Sequence, residues 1–363
     1  MRVIISGGGT GGHIYPAIAI GEKLQREIPD VEIVYVGIKN GPEELVAQKY
    51  GYKFVDLPGM GIPRRINKKL FKSLNTNLKG FKKAKKIIKE YKPDLVIGTG
   101  GYVCAPILYQ ASKKGIPSIV HESNSYPGMA SKFLSNKVDK VLISYKEAEK
   151  HFKHKDRIVV TGNPVRTSFK SDFTEKDLKD LGIKKDRPVV FSFGGSNGSY
   201  YMNEAVKELS KNLDGSYYLL HQTGKKNYDD FMEEVQESEY LKVFSYIDNI
   251  DLFYAVSDLV IASSGAMSLS EISAVGKASI LIPKSYTTEN HQQFNAQTYV
   301  DNGASIMILE KDLDGAVLDR KIKEIIRDKD KLKKMGDAAK ALSDDEAGDK
   351  IFNIIEGLIK DER

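Results

Sequence analysis

Residues Met1–Ile20, MRVIISGGGTGGHIYPAIAI, contain three segments of different character. Arg2–Ser6 is a short apolar run rich in valine and isoleucine, which predicts a buried strand. Five glycines follow within Gly7–Gly12. The apolar residues of His13–Leu24 then recur at helical spacing. A strand, a glycine loop and a helix in this order aim backbone N–H groups and the positive end of a helix dipole at a ligand, most often an anion.

Two common nucleotide-binding loops do not fit this segment. The glycine spacing from Gly7 to Gly12 is that of a dinucleotide-binding loop. The second predicted strand, Val31–Val36, however leads into Gly37-Ile38-Lys39 and lacks the acidic residue that would bind a ribose. No Lys-Ser or Lys-Thr pair follows the glycines, which excludes the phosphate loop of NTPases. The sequence therefore predicts an anion site here without naming its ligand.

The composition describes a globular chain of more than one domain. At 363 residues, two domains of ordinary size are expected rather than one core. Apolar residues make up 41% and charged residues 29%, which argues against disorder. The single cysteine, Cys104, excludes an internal disulfide and fits a reducing compartment. We expect no leader peptide, and no apolar run approaches the roughly 20 residues of a membrane span.

The second half of the chain repeats the scheme of the first. Asp94–Ile97, followed by a glycine turn and a helix, has a counterpart in Asp258–Ile261, which is also followed by a glycine-containing turn and a helix. We predict an α/β protein of two doubly wound parallel-sheet domains that face a cleft, with a ligand at the carboxyl ends of their strands. The predicted divisions are residues 1–163, residues 164–343 and a C-terminal helix, 344–363.

The segment Arg64–Lys92 is the most strongly biased part of the chain, with twelve basic residues and a single acid, Glu90. One interpretation is a solvated helix that packs through an apolar stripe. Another is a surface for anionic lipid headgroups, which attract basic residues by about 1 kcal/mol each. Nucleic acid is not favoured, because no nucleic-acid motif accompanies the charge. The basic residues are Arg64, Arg65, Lys68, Lys69, Lys72, Lys79, Lys82, Lys83, Lys85, Lys86, Lys89 and Lys92.

His13 stands directly after the glycines, at the start of the first predicted helix. Such a residue can satisfy a local hydrogen bond, or it can act as a general base. A helix N-terminus disfavours a nearby positive charge, which keeps an imidazole neutral and able to accept a proton. Its position alone leaves both interpretations open.

Polar side chains in the second half have the chemistry to bind a sugar nucleotide. Glu271, in the predicted helix after Gly265, can accept hydrogen bonds from two hydroxyls of a ribose. Gln292 and Gln293, on a predicted loop after Pro283, can bind sugar hydroxyls. For Glu271 taken alone, an ordinary solvated surface position is the favoured interpretation, and surface glutamines are equally commonplace. The sequence shows no HExxH motif and no cluster of cysteine and histidine, so we expect no metal and no other cofactor.

Several segments taken together resemble one family. They are similar to the MurG family of bacterial peptidoglycan N-acetylglucosaminyltransferases, in glycosyltransferase family 28, over nearly the whole chain. The resemblance implies a GT-B fold and inverting transfer of GlcNAc from UDP-GlcNAc to lipid I, which gives lipid II. In chain order the segments are Gly7–His13, Gly100–Tyr102, His121–Asn124, Gly162–Arg166, Gly194–Ser196, Ser264–Ala266, Ser270-Glu271, His291-Gln292 and Asn295-Ala296.

The resemblance implies that the first half binds the acceptor lipid and faces the membrane. Thr10–Gly12 would lie where donor and acceptor meet. His13 would be the catalytic base, with Glu122 as the less favoured alternative. Asn124 would contact the GlcNAc. The glycine loop would thus lie near the diphosphate of the acceptor rather than hold the base and ribose of the donor.

In the second half, the resemblance implies a site for UDP-GlcNAc. Arg166 and Ser196 would lie beside the nucleotide, and the backbone of Ile247 would bind uracil. Ala266–Ser270 would line the nucleotide and diphosphate, while Glu271 and the two glutamines would have the roles given above, with Gln292 the better match. The full set of implied substrate-binding residues is Thr10, Gly11, Gly12, Asn124, Arg166, Ser196, Ile247, Ala266, Met267, Ser268, Leu269, Ser270, Glu271, Gln292 and Gln293.

The chain departs from the family pattern at two positions. Ser263 stands where the family often has an arginine, which removes a fixed cation near the departing UDP. Ser123 stands where the family often has a glutamine. Lys225 or Lys226, just after Gly224, is a candidate replacement for the missing cation.

We therefore expect a metal-independent enzyme that is peripheral to the cytoplasmic face of the cell membrane and docks on the anionic inner leaflet through Arg64–Lys92. Its substrates would be UDP-GlcNAc and lipid I, and nucleic acid would not be a partner. Three alternatives stay open at the level of sequence. They are a related transferase acting on another lipid such as diacylglycerol, a UDP-GlcNAc 2-epimerase, and a catalytically silent nucleotide-sugar-binding protein.

Overall fold

The computed structural model divides into two compact units, one of residues 1–167 and 344–363 and the other of residues 168–343. Each unit is a parallel sheet covered by helices, which confirms the predicted α/β class with two doubly wound domains. In the part of the chain that the structure describes, no helix is long and apolar enough to cross a lipid bilayer. The described residues are 1–62, 68–165, 173–195, 197–287 and 290–360.

The sheet of the first unit has seven parallel strands within the described residues. The strands are β1 (Arg2–Ser6), β2 (Glu32–Gly37), β3 (Lys53–Asp56), β4 (Leu95–Gly98), β5 (Ser118–Glu122), β6 (Lys140–Ile143) and β7 (Ile158–Val160). Their order in the sheet is β3-β2-β1-β4-β5-β6-β7. The winding therefore reverses between β1 and β4, and open α/β sheets bind ligands beyond the carboxyl ends of such a strand pair.

The helices of the first unit connect these strands. They are α1 (Gly11–Glu27), α2 (Pro42–Lys49), α3 (Lys68–Tyr91), α4 (Cys104–Ser112) and α5 (Met129–Leu134). The central strands are buried because helices pack on both faces of the sheet, a position that suits their valine and isoleucine content.

The first helix begins two residues earlier than its apolar spacing predicted. Gly11 and Gly12 are already helical, and Thr10 is the N-cap with an extended backbone. The carbonyl oxygen of Thr10 accepts hydrogen bonds from the backbone N–H of His13 at 3.0 Å and of Ile14 at 3.1 Å. Apolar periodicity could not locate this start, because the first three helical residues, Gly11–His13, carry no apolar side chain.

The second unit repeats the plan with six parallel strands among the described residues. Its elements are α6 (Glu175–Asp180), β8 (Val189–Phe193), α7 (Tyr200–Ser210), β9 (Tyr218–Gln222), α8 (Tyr228–Glu234), β10 (Leu241–Phe244), α9 (Ile250–Val256), β11 (Leu259–Ala262), α10 (Ala266–Val275), β12 (Ala278–Leu281), α11 (His291–Asp301), β13 (Ser305–Met307), α12 (Gly315–Ile326) and α13 (Lys329–Ala341). The strand order is β10-β9-β8-β11-β12-β13, so the winding reverses between β8 and β11.

The last helix, α14 (Ala347–Lys360), belongs to the first unit. Its buried residues Ile351 and Ile355 share a core cluster with Ile18 and Leu24 of α1. Lys23 of α1 also forms an ion pair with Asp349. The C-terminal helix therefore packs against α1, the helix that follows the first glycine loop.

Candidate active site

Two glycine turns of the first unit enclose the ring of His13. Gly100 and Gly101, in the turn after β4, have φ angles of 103° and 79°, a region that favours glycine. A Cβ atom on Gly100 would lie 2.6 Å from Cδ2 of His13, and one on Gly101 would lie 2.4 Å from the carbonyl oxygen of Gly8. The turn after β4 therefore needs glycine at both positions for its close approach to His13 and Gly8, and the half-buried imidazole lies beyond the ends of β1 and β4.

A backbone contact orients the His13 ring. Its Nδ1 lies 3.1 Å from the carbonyl oxygen of Gly8, and the hydroxyl of Thr10 lies 3.4 Å from the same nitrogen. A carbonyl oxygen only accepts hydrogen bonds, so Nδ1 donates and carries the hydrogen. In the neutral ring the lone pair is then on Nε2, which is the atom that can take a proton. The geometry suits the predicted general base.

The carboxylate of Glu43, which sequence reasoning missed, supports the same loop. This side chain is 1% exposed. Its Oε2 accepts a hydrogen bond from the backbone of Gly9 at 3.2 Å, and its Oε1 accepts one from the backbone of Ile38 at 3.1 Å. A buried carboxylate needs such donors, and these hydrogen bonds hold the glycine loop next to α2. An acidic residue in the first turn of a helix is common, and nothing in the sequence linked Glu43 to Gly9.

Glu122, the last residue of β5, lies together with Asn124 of the loop that follows. The Glu122 side chain is 3% exposed. Its Oε1 accepts hydrogen bonds from the backbone and side-chain nitrogens of Asn124 at 3.0 and 2.9 Å, and its Oε2 accepts one from the backbone of Gly128 at 3.0 Å. Both carboxylate oxygens are thus engaged in shaping the loop, which favours a positioning role for Glu122 over that of a base.

The segment after β7 forms hydrogen bonds with β5 and with the loop that follows β5. The side chain of Asn163 accepts a hydrogen bond from Ser144 Oγ at 2.7 Å and donates one to the carbonyl oxygen of Ser123 at 3.1 Å. Gly162 O accepts from Nε2 of His121, a buried histidine whose pKa burial lowers. Arg166, predicted to lie beside the nucleotide, is outside the described residues.

In the second unit, the glycine loop after β8 packs against the turn after β9. A Cβ on Gly198 would lie 1.8 Å from the carbonyl oxygen of Thr223, and the φ of Gly198 is 72°. Gln222 donates to Gly195 O at 3.1 Å and accepts from the backbone N–H of Ile247 at 2.8 Å. The bond with Gln222 engages the N–H of Ile247, so the predicted contact with uracil would use the carbonyl of Ile247. Ser196 is outside the described residues.

The helix α10, which we predicted to line the nucleotide and diphosphate, is mostly buried. Met267 and Leu269 are 6% and 0% exposed, so their side chains do not face a ligand, whereas Ser268 is half-buried. Glu271 is 6% exposed, and its Oε2 accepts a hydrogen bond from the hydroxyl of Tyr254 at 3.1 Å. This contact, which the sequence did not indicate, orients the carboxylate predicted to bind ribose.

The prediction that Gln292 and Gln293 lie on a loop is wrong, because both are in the first turn of α11. Their polarity resembled a loop, whereas the buried face of the helix begins only at Asn295. The two side chains differ in their contacts. Gln292 Oε1 accepts from the backbone of Lys284 at 3.0 Å, while Gln293 Oε1 accepts from the side chain of Asn290 at 2.6 Å.

Known proteins similar to this chain include a curated relative from Finegoldia magna that is 47% identical over 94% of each chain. That relative is named UDP-N-acetylglucosamine–N-acetylmuramyl-(pentapeptide) pyrophosphoryl-undecaprenol N-acetylglucosamine transferase. The models of the glycosyltransferase family 28 N-terminal and C-terminal domains match residues 3–143 and 189–351. The chain belongs to glycosyltransferase family 28.

Solved structures similar to this family 28 chain include members of more than one enzyme class. MurG of Acinetobacter baumannii has a TM-score of 0.75 and 23% identity, with coverage of 98% of this chain and 99% of that one. UDP-GlcNAc 2-epimerase of Neisseria meningitidis has a TM-score of 0.70 and 14% identity, with coverage of 98% and 100%. These likenesses establish the GT-B type of fold and no more.

Ser263 stands at the position where the family often has an arginine. Its side chain is 4% exposed. Of the two lysines suggested as replacements, Lys225 has its Nζ 4.8 Å from the centroid of the Tyr246 ring. That contact places Lys225 beside the residue before Ile247, and therefore next to the expected uracil position.

Proposed function

We propose that this family 28 chain transfers GlcNAc from UDP-GlcNAc to lipid I, with inversion, and thereby forms lipid II in peptidoglycan synthesis. The observation that carries the proposal is the 47% identity, over 94% of both chains, with a relative named as this transferase. The fold alone does not select a transferase, since a 2-epimerase also has a similar structure. The match in sequence includes both halves of the chain, and thus both regions that we propose to bind substrates.

In the proposed reaction His13 is the general base. A hydroxyl of the acceptor sugar passes its proton to Nε2, the nitrogen that the contact with Gly8 leaves without a hydrogen. The hydroxyl oxygen forms a bond to the anomeric carbon of GlcNAc, and the bond from that carbon to UDP breaks with its electron pair leaving on the diphosphate. Attack from the side opposite the leaving group inverts the configuration.

The donor would bind in the second unit. The carboxylate of Glu271, oriented by Tyr254, would accept hydrogen bonds from the ribose hydroxyls. The carbonyl of Ile247 would accept one from uracil, and Gln292 would hold hydroxyls of the sugar. Backbone amides of the glycine loop and of the start of α10 would stabilise the charge that develops on UDP, without a metal ion.

We also propose that the chain docks on the anionic inner leaflet, at the cytoplasmic face of the membrane, through the N-terminal half of α3. Phe71, Leu74 and Leu78 are 69%, 50% and 58% exposed and recur at helical spacing. By contrast, the C-terminal half of α3 packs into the core through Ala84 and Ile88. Exposed lysines flank the apolar side chains, and Arg64 and Arg65 are outside the described residues. The flanking lysines are Lys68, Lys69, Lys72 and Lys79.

The test is a transfer assay with UDP-GlcNAc and a soluble lipid I analogue, with and without EDTA. We expect formation of the disaccharide product at a rate that the chelator does not change. Transfer only to diacylglycerol, or epimerisation of UDP-GlcNAc by protein free of lipid, would replace the proposal by one of its alternatives. Donor binding without turnover would leave a nucleotide-sugar-binding protein.

A further inference from the structure

Lys284, which follows β12 by three residues, places an ammonium group at the glycine loop of the second unit. Its Nζ donates a hydrogen bond to the carbonyl oxygen of Gly198 at 2.6 Å. Gly198 immediately precedes Ser199, the N-cap of α7. The positive charge is therefore held at a helix N-terminus. The helix dipole stabilises an anion at this position but not a cation. Burial lowers the pKa of Lys284, while nearby Glu310 acts in the opposite direction.

The backbone of Lys284 is fixed by residues of the expected donor site. Its N–H donates to Gln292 Oε1 at 3.0 Å, and the backbone carbonyl of Gln292 accepts from Ser264 Oγ at 2.8 Å. Ser264 precedes Gly265, the N-cap of α10. One hydrogen-bonded network thus joins the sugar-binding candidate, the start of α10 and the lysine that reaches the glycine loop.

Two hydroxyls at the same edge of the sheet lack partners. Ser199 and Ser263 are 2% and 4% exposed, and within the described chain neither Oγ has a hydrogen-bond partner. They follow β8 and β11, between which the winding reverses, and the backbone N–H of Ser263 donates to Phe193 O at 3.4 Å. Buried hydroxyls are nearly always hydrogen-bonded, so a pair without partners marks a place for the acceptor atoms of a ligand.

We propose that Lys284 is the cation that binds the diphosphate of the donor and that the hydroxyls of Ser199 and Ser263 donate to the same group. On binding, the ammonium would exchange the carbonyl of Gly198 for a phosphate oxygen. This inference rests on the proposed function, in which a uridine diphosphate leaves as the bond to the anomeric carbon breaks. Lys284 would then supply the charge that the family often obtains from an arginine at the position of Ser263.

The test compares the affinities of Lys284→Met and Lys284→Arg for UDP and for uridine, measured by calorimetry on the full chain. Methionine keeps much of the aliphatic stem without the charge, so we expect UDP affinity to fall by about tenfold or more while uridine affinity stays unchanged. Arginine should restore most of the UDP affinity. Lys211→Met, at the opposite end of α7, is the matched control, and Lys225→Met should have a smaller effect than Lys284→Met.

Unchanged UDP affinity in Lys284→Met would overturn the inference. An equal loss for UDP and uridine would also overturn it, because Lys284 would then shape the site rather than bind the diphosphate. The outcome is separable from the proposed function. If the protein needs Lys284 to bind UDP but transfers no GlcNAc to lipid I, this inference stands and the proposed function fails. If Lys284→Met leaves both UDP affinity and transfer to lipid I unchanged, the proposed function stands and this inference fails.

Discussion

At the scale of single residues, one hydrogen bond determines which nitrogen of His13 can take a proton. The carbonyl oxygen of Gly8 holds the hydrogen on Nδ1 and leaves the lone pair on Nε2. The close packing of Gly100 against the ring limits how far the imidazole can turn. The proposed base is therefore oriented before any substrate binds.

Substitution His13→Asn tests this role, because the asparagine amide can keep the contact with Gly8 but cannot act as the base. We expect kcat to fall by about 10²- to 10⁴-fold, the usual contribution of a general base. The affinity for UDP, which we propose to bind in the second unit, should stay within about twofold of the wild-type value, because His13 is in the first unit. Both constants can be measured on one protein preparation. A kcat close to wild type would assign His13 to loop structure.

The ribose-binding prediction for Glu271 depends on how Tyr254 orients its carboxylate. Glu271→Ala should weaken UDP binding by about tenfold or more through loss of hydrogen bonds to a charged group. Tyr254→Phe, which removes only the hydroxyl that donates to Oε2, should cause a smaller loss of the same kind. The diagnostic measurement is affinity for uridine against 2′-deoxyuridine. If Glu271→Ala still distinguishes the two nucleosides as wild type does, the carboxylate does not bind the ribose 2′-hydroxyl.

At the scale of elements, α3 has two halves with different surroundings. Toward its C-terminus, Ala84 and Ile88 are part of the core, and Lys83 forms an ion pair with Asp56 at 2.8 Å. Toward its N-terminus, Phe71 and Leu78 are exposed. The sequence showed a charged helix with an apolar stripe but not that the stripe leaves the core halfway along.

This division locates the expected lipid contact. The triple substitution of Phe71, Leu74 and Leu78 by glutamine should reduce binding to phosphatidylglycerol-containing vesicles by at least about tenfold, since each apolar side chain contributes roughly 1.5–3 kcal/mol when it leaves water. Cosedimentation measures the bound fraction. As a control, glutamine at Lys82 and Lys85, on the packed half, should have a smaller effect. Vesicle binding that survives the triple substitution would make α3 an ordinary solvated helix.

At the scale of the whole molecule, the sequence predicted what depends on local periodicity. The strand β1 has the predicted bounds, and the α/β class with two similar units follows from such apolar runs. Contacts between distant residues were not predictable in this way. Glu43 meets Gly9 across 34 positions, and Lys284 meets Gly198 across 86. The positions of the glycine loops were therefore visible in the sequence, whereas the charged side chains that complete them were not.

Each unit also contains a wholly buried histidine, His121 on β5 and His221 on β9. Burial lowers the pKa of both, for His221 to about 3. In the unfolded chain both have the ordinary value of 6.5. At pH values between the lowered pKa and 6.5, the unfolded chain binds more protons than the folded one. Stability is therefore full above pH 6.5 and decreases as the pH falls below it.

We expect the free energy of unfolding to fall by about 1 kcal/mol through His221 between pH 7 and pH 5.5, and His121 acts in the same direction. Urea unfolding at the two pH values measures this difference, and if the units unfold separately, each transition should shift to lower urea. His221→Gln retains an amide for the contacts with Ser192 and Asn203 and should make the dependence shallower. His154→Gln, at an exposed position, should leave it unchanged. Equal stability at pH 7 and pH 5.5 would mean that the buried histidines accept protons in the folded state, because the folded and unfolded chains would then bind the same number.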